Sequence, residues 1–212
     1  MKKVFFSLSL LFLLVACGQG QPVNIPVKTS DKPGPNEAVA DFAEGCFWHA
    51  EIVFQSLVGV RDAVSGFSGG HDNNPNYRKV CTGTTGHAET VQVYYDPSKI
   101  SYATLVAAFF ASMDPTELDR QGPDEGTQYR SIAFYRNDQE KKIIEDQIAK
   151  LTAQKKYSRK IVTEVKPFVM FFPADDEHQE YIKNNPDNPY VQHVSIPDFI
   201  EFKKTFPGPY KS

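Results

Sequence analysis

The 212-residue chain is poor in cysteine, with three, and in tryptophan, with one. Three cysteines are too few for a disulfide scaffold. No C-x-x-C pair occurs in the chain. His49-Ala50-Glu51 and His87-Ala88-Glu89 both show H-x-E but lack the Pro-Cys-x-x-Cys partner that a zinc deaminase needs. Gly83–Gly86 lacks the Lys-Ser/Thr that a phosphate loop needs and reads as a tight turn. The 23 basic residues are outnumbered by 26 acidic ones, and no basic stripe is present to neutralise phosphates. Nucleic acid is thereby excluded as the main partner. No apolar run reaches the ~20 residues of a membrane-spanning helix. Internal repeats and low-complexity blocks are also missing, while 41% apolar residues exclude a disordered chain.

The N-terminus carries a leader. Met1, Lys2 and Lys3 precede Val4–Ala16, a 13-residue stretch interrupted only by Ser7 and Ser9. A charged n-region before a short apolar h-region reads as an export signal. It ends Leu14-Val15-Ala16-Cys17, which resembles a bacterial lipobox, and that resemblance implies lipidation at Cys17. Cleavage after residue 16 leaves 196 residues with 21 basic and 26 acidic side chains, a net charge of −5. The expected organisation is a signal peptide over 1–16, a Pro- and Gly-rich flexible tether over 17–35, and one domain over 36–212. Because Gly18 rather than Asp follows Cys17, a double-membrane bacterium would sort the protein to the outer membrane, facing the periplasm. In a single-membrane bacterium it would sit on the outer face of the cell membrane.

The spacing predicts four helices. Ser101 caps one, with Tyr102, Leu105, Val106, Phe109 and Phe110 on its apolar stripe. Asp138 caps a second, carrying Ile144, Ile148 and Leu151. A third covers about Phe47 to Leu57, and a fourth starts near Asp175 with acidic residues in its first turn. Strands are expected at about Val60–Phe67, Ala88–Tyr95, Ser131–Tyr135 and Ile161–Val165, with Phe168–Phe172 as a buried strand. Strands and helices mix without a βαβ rhythm, which indicates an α+β fold with a mixed sheet. Ser68–Pro75 and Gln121–Gly126 are long connections of the kind that carry function.

Two side chains invite chemistry. Gly45 permits a sharp turn, and Cys46 then falls at the start of the third helix. Free N–H groups and the helix dipole at that point favour a thiolate. The alternative is a buried structural cysteine beside the core aromatics Phe47 and Trp48. Glu89 enters the strand that continues with Val91, Val93 and Tyr95, and strand alternation puts all four on one face. A carboxyl buried there stays protonated near neutral pH and can donate a proton. The alternative is a rim carboxylate paired with Lys or Arg. His178, at an acidic helix start, reads as a solvated side chain.

Gly45-Cys46-Phe47-Trp48 resembles the signature of the A-type peptide methionine sulfoxide reductases. Further motifs follow in order: Gly66-Phe67-Ser68-Gly69-Gly70, Asn74-Pro75-Asn76-Tyr77, Gly86-His87-Ala88-Glu89, Tyr94-Tyr95-Asp96-Pro97 and Asp114-Pro115-Thr116. After them come the run from Gly122 to Ser131, then Glu177-His178-Gln179 and Asn185-Pro186. The match spans about Ala38 to Phe206.

The resemblance implies a ferredoxin-like two-layer sandwich, with a central mixed sheet flanked by helices and no metal or organic cofactor. Cys46 is then the nucleophile, Glu89 the proton donor, and Phe47 and Trp48 the pocket for the substrate's S-methyl group. Tyr77, Asp124 and Tyr129 surround the sulfoxide oxygen. The substrates implied are oxidised proteins and free methionine sulfoxide in the S configuration, and a monomer is expected. One departure stands out: residues 82–212 contain no cysteine, so the resolving cysteines that many relatives carry near the C-terminus are missing. The Cys46 sulfenic acid would then be recycled by an external, thioredoxin-like thiol, or by Cys81. Two rival readings are a thiol peroxidase using the same Cys46, and a tethered binding lipoprotein with a structural Cys46–Cys81 bridge.

Overall fold

The computed structural model describes residues 32–211. The signal segment, Cys17 and most of the expected tether lie outside the described residues. Strand β1 (Ala38–Glu44) leads into helix α1 (Phe47–Gln55) and strand β2 (Val60–Ser68). A short helix α2 (Tyr77–Cys81) precedes β3 (Ala88–Tyr95) and α3 (Tyr102–Ala111). A two-residue hairpin, β4 (Arg120–Gln121) and β5 (Asp124–Glu125), precedes β6 (Ser131–Tyr135) and α4 (Asp138–Ala153). The chain ends with β7 (Glu164–Pro167), β8 (Phe171–Pro173), α5 (Tyr181–Asn184) and α6 (Ile196–Thr205).

The main sheet has the order β7-β6-β1-β3-β2-β8. Its middle four strands are antiparallel, and β7 adds to β6 in parallel, which makes the sheet mixed as expected. The central run β1-α1-β2-β3-α3-β6, in spatial order β6-β1-β3-β2, is the ferredoxin-like arrangement. The large core lies between this sheet and α1, α3 and α4, with Phe42, Phe54 and Phe109 stacked at 5.1 to 5.2 Å. Val91, Val93 and Tyr95 of β3 belong to that core, which places the helices on the face that strand alternation assigned to Glu89.

The other face holds a small cluster of Ala43, Ala88, Ile132 and Phe134, and Phe168 packs against it. Three residues, 168–170, join β7 on one edge to β8 on the other. Four extended residue steps reach about 14 Å. Five strand spacings in a flat sheet would need about 24 Å. The sheet must therefore curl until its edges approach, and a Cβ at Gly69, just past β2, would lie 3.2 Å from the Phe134 ring on β6. Across this strap Val169 is 82% and Met170 53% exposed, so the expected buried strand over Phe168–Phe172 is replaced by a surface crossing that becomes β8 only at Phe171.

Other boundaries shift for local reasons. Asn137, not Asp138, caps α4, its side chain accepting from the Glu140 N–H at 2.9 Å. The strand expected at Ile161–Val165 forms at Glu164–Pro167, where it meets β6. The helix expected from Asp175 is a single 3-10 turn, Asp176–His178, followed by the four-residue α5. The Gln179 side chain ends that turn by pairing with the Ser65 N–H and C=O on β2, both at 3.0 Å, and Glu180 then takes a left-handed φ of 48°.

Candidate active site

Gly45 has a φ of 104°, and a Cβ there would fall 2.7 Å from the Gln121 side chain. Only glycine allows this turn out of β1. Cys46 follows in extended conformation as the N-cap of α1, as its position in the sequence predicts. The dipole at the head of α1 thus meets the sulfur, although no N–H completes a capping hydrogen bond to it. That dipole does not decide the thiol's state. Burial and the nearby carboxyls of Glu89 and Asp124 push the Cys46 thiol well above its ordinary range, against the pull of Trp48 N–H and the Tyr190 hydroxyl. The thiolate expected from helix position is therefore overruled by desolvation. Cys46 and Cys81 are both free thiols, so no structural bridge joins them.

Glu89 is 1% exposed on the helix-covered face of β3. Its Oε2 accepts from the Phe47 N–H, the first N–H of α1, at 3.0 Å, while Oε1 meets no protein partner. Burial, joined by the charge of Asp124, raises its pKa from 4.5 to about 8, and the Phe47 N–H only partly offsets this. No basic side chain pairs with it, so the rim ion-pair alternative does not hold. At neutral pH Glu89 is a carboxylic acid beside the cysteine.

The structure brings the other anticipated residues to the same spot. Tyr77 opens α2, with its ring 6.1 Å from Phe47. Asn76 caps that helix through the Lys79 N–H at 3.0 Å and so sets the direction of Tyr77. Tyr129 sits in the 3-10 turn Thr127–Tyr129 before β6, close enough to feel the charges of Glu89, Tyr77, Asp124 and Cys46. Burial raises both phenols further above their ordinary range, so they remain hydroxyl donors. Asp124 belongs to the β4–β5 hairpin. Phe47 is buried, and Trp48 is half-buried with its indole flat on Tyr181, centroids 3.6 Å apart at 6°.

Three site residues escaped the sequence reading. Tyr190 donates to Asp124 Oδ2 at 2.5 Å and lines the same cleft as Cys46. Tyr181 covers Trp48. His178, expected in solvent, is 5% exposed, with its ring 4.3 Å from Tyr77 and 5.5 Å from Phe47. The short 3-10 turn buries it where a continued helix would have exposed it. Tyr190 stands in the first helical turn after the loop 185–188, and only the Asn185-Pro186 pattern hinted at an ordered turn there. Glu51 fastens that segment to α1, accepting from the Ser65 hydroxyl at 2.6 Å and the Glu180 N–H at 2.7 Å.

His87 Nδ1 accepts from the Gly70 N–H at 3.1 Å, and the ring nitrogens of His49 are buried without a hydrogen-bond partner beside a cleft that Cys46 also lines. Among the described residues no group of three His, Cys, Asp or Glu could hold a metal ion.

The family profile described as "Peptide methionine sulfoxide reductase" matches residues 38–208. Peptide methionine sulfoxide reductase MsrA of Saccharolobus solfataricus is 46% identical over 173 residues, covering 82% of this chain and 97% of that protein. The MsrA of Pasteurella multocida is 47% identical, over 79% and 95% respectively. Among solved structures, methionine sulfoxide reductase A of Corynebacterium diphtheriae superposes with a TM-score of 0.66 at 36% identity, covering 73% of this chain and 78% of its own. Reduced Mxr1 of Saccharomyces cerevisiae gives 0.67 at 34%, over 74% and 91%. A profile match over most of the domain, relatives matched over nearly their whole length and a shared fold agree: the chain belongs to the peptide methionine sulfoxide reductase family, whose chemistry runs without a metal or organic cofactor.

Proposed function

We propose that Cys46 is the nucleophile and Glu89 the proton donor in the reduction of the S epimer of methionine sulfoxide, in oxidised proteins and as the free amino acid. The observation that carries this reading is the Glu89 carboxyl. It is buried without a cation, neutral at pH 7, and bonded to the N–H of the residue after Cys46.

Sulfoxide sulfur becomes a good electrophile once its oxygen is protonated. Glu89 supplies that proton, and the Tyr77 and Tyr129 hydroxyls donate to the oxygen as charge develops. The S-methyl group packs against Phe47 and Trp48. Cys46 attacks the sulfur, methionine leaves, and the cysteine is left as a sulfenic acid. The single Tyr190 proton rests on Asp124 while Cys46 is a thiol and turns to the sulfur as negative charge builds there. A thioredoxin-like thiol on the exported side then reduces the sulfenic acid. Cys81 is exposed on α2, open to reagents rather than packed in the core.

Wild type and Cys46→Ser, given excess stereodefined sulfoxide without reductant, test this reading. Wild type yields one methionine per chain from the S epimer alone, with a dimedone adduct on Cys46, and Cys46→Ser yields none. Unimpaired turnover by Cys46→Ser would overturn it. A Cys46–Cys81 disulfide replacing the adduct would make Cys81 the resolving residue.

The leader supports a second part of the proposal: an exported monomer, anchored by lipid on Cys17, that repairs oxidised exported proteins. One acyl chain binds membranes only marginally, so more than one is expected. Intact mass of the membrane fraction should show a chain beginning at lipidated Cys17, and an unlipidated or differently processed N-terminus contradicts the anchor.

A further inference from the structure

The aromatic wall around the proposed sulfoxide pocket comes from two parts of the chain. Phe47 and Trp48 open α1, while His178 and Tyr181 arrive from a segment near the other end of the chain. The His178 ring lies 5.5 Å from Phe47, and the Tyr181 ring covers the Trp48 indole at 3.6 Å. The segment that brings them has little regular structure: a three-residue 3-10 turn, then the four residues of α5. Elements so short do not hold a ring in place by their own backbone bonds. Contacts from outside the segment must fix this wall against α1.

Two polar clasps do so, at the two residues that stand between the rings. Gln179 donates to the Ser65 and Ala174 carbonyls at 3.0 and 2.9 Å and accepts from the Ser65 N–H at 3.0 Å. Its neighbour Glu180 is held by Glu51, whose Oε1 accepts from the Glu180 N–H at 2.7 Å. Glu51 is 2% exposed, and its other oxygen accepts from the buried Ser65 hydroxyl at 2.6 Å. Gln55, one turn further along α1, donates to Oε1 at 3.1 Å and holds the carboxyl's direction. Both carboxyl oxygens are thus committed, and none of their partners is substrate.

We propose that Glu51 is a positioning residue that sets the affinity for the sulfoxide: through the Glu180 N–H it keeps Tyr181 flat on Trp48, and so fixes the wall against which the S-methyl group packs. The proposal rests on the reductase reading above and deepens its binding half. Glu51 touches no substrate and moves no proton. It stands one turn after Trp48 on α1, and residues at that spacing share a helix face. The same helix therefore carries the indole and the carboxyl that holds the indole's cover.

The backbone at Glu180 shows why a bond is needed there. Its φ is 48°, a left-handed conformation that a residue with a Cβ adopts only at a cost. Released from Glu51, Glu180 gains by turning right-handed, and that rotation swings the next residue, Tyr181, off Trp48. The side-chain hydrogen bonds of Tyr181 stay within its own segment. Its hydroxyl accepts from the Asn188 amide at 3.1 Å and its carbonyl from the Asn185 amide at 3.0 Å. Neither ties it to α1. Glu89 is bonded instead to the Phe47 N–H from β3 and shares no hydrogen-bond partner with Glu51, so the acid stays in place when the wall loosens.

The test is single-turnover methionine formation on the full chain, followed against the concentration of the S sulfoxide, together with the fluorescence of Trp48, the only tryptophan. Glu51→Ala should raise the half-saturating concentration by about tenfold, the upper worth of one aromatic pair, and leave the limiting rate within about threefold of wild type. Its Trp48 emission should shift to the red as water reaches the indole. Tyr181→Ala should raise half-saturation by a similar factor. Adding Glu51→Ala to it should change little further, because residues acting through one contact are not additive. A half-saturating concentration in Glu51→Ala within about twofold of wild type, a loss confined to the limiting rate, or effects that add in the double variant would each overturn the proposal. If Glu51→Ala does not fold, Glu51→Asp decides on the same readouts, since it keeps the carboxyl but withdraws it by one carbon from the Glu180 N–H. Failure of the reductase reading would look different: wild type itself would leave the sulfoxide unreduced, while Trp48 emission would still report on the stack.

Discussion

Two carboxyls are buried in the same sheet, on opposite faces, and they end in opposite states. Asp41 of β1 lies on the strap-covered face, completely buried, where the Arg136 guanidinium pairs with it and Gln92 donates to it at 3.0 Å. Burial raises it only to about 6, because the Arg136 charge and both hydrogen bonds resist. Glu89 of β3 lies on the helix-covered face with one backbone N–H and no cation, and it reaches about 8. At neutral pH Asp41 is an ion in a structural pair and Glu89 is an acid holding a proton. Burial is common to both, and the presence of a cation decides which carboxyl can do acid chemistry.

The largest effect should come from removing the proton on the helix face. Glu89→Gln keeps size and the Phe47 N–H contact but cannot act as an acid. The single-turnover reductase rate should fall by roughly 10²–10⁴-fold, with sulfoxide binding little changed. A rate within threefold of wild type would make Glu89 a structural residue like Asp41.

A smaller effect, of a different kind, is expected on the strap face. Arg136→Met strands Asp41 without its cation and removes the guanidinium lying 4.2 Å over the Phe168 ring. Stability should drop by about 3 kcal/mol, at the low end for a broken buried pair because the Arg136 side chain is 27% exposed. The reductase rate of the folded fraction should stay within about twofold of wild type. Chemical denaturation separates the two readouts. A reductase rate that falls along with stability would mean that the faces are not independent.

Much of the helix face was legible from local pattern. The alternation Glu89, Val91, Val93, Tyr95 located a buried acid correctly because β3 runs straight through the core, and 3.6-residue spacing found α1 and α3. The strap face was not legible. Phe168–Phe172 is continuously apolar, and nothing local reveals that the sheet curls enough for three residues to cross it, leaving Val169 exposed. His178 and Tyr190 were missed for the same reason. Their positions depend on Gln179 pairing with Ser65, 114 residues earlier, and on Glu51 holding the Glu180 N–H 129 residues away. Helix position alone also misjudged Cys46, since the dipole of α1 acts on the thiol but desolvation and two carboxyls outweigh it.

The most direct test of Glu89 as the acid is the pH profile of the wild-type reductase step, followed by single turnover so that recycling does not intrude. An acid must hold its proton to donate it, and the Glu89 pKa is raised above its unfolded value. The rate should therefore persist through neutral pH and fall above about 8, approaching tenfold per pH unit, with Glu89→Gln lacking that limb. A wild-type rate that stays level from pH 7 to about 9.5, or a limb that survives in Glu89→Gln, would contradict the account.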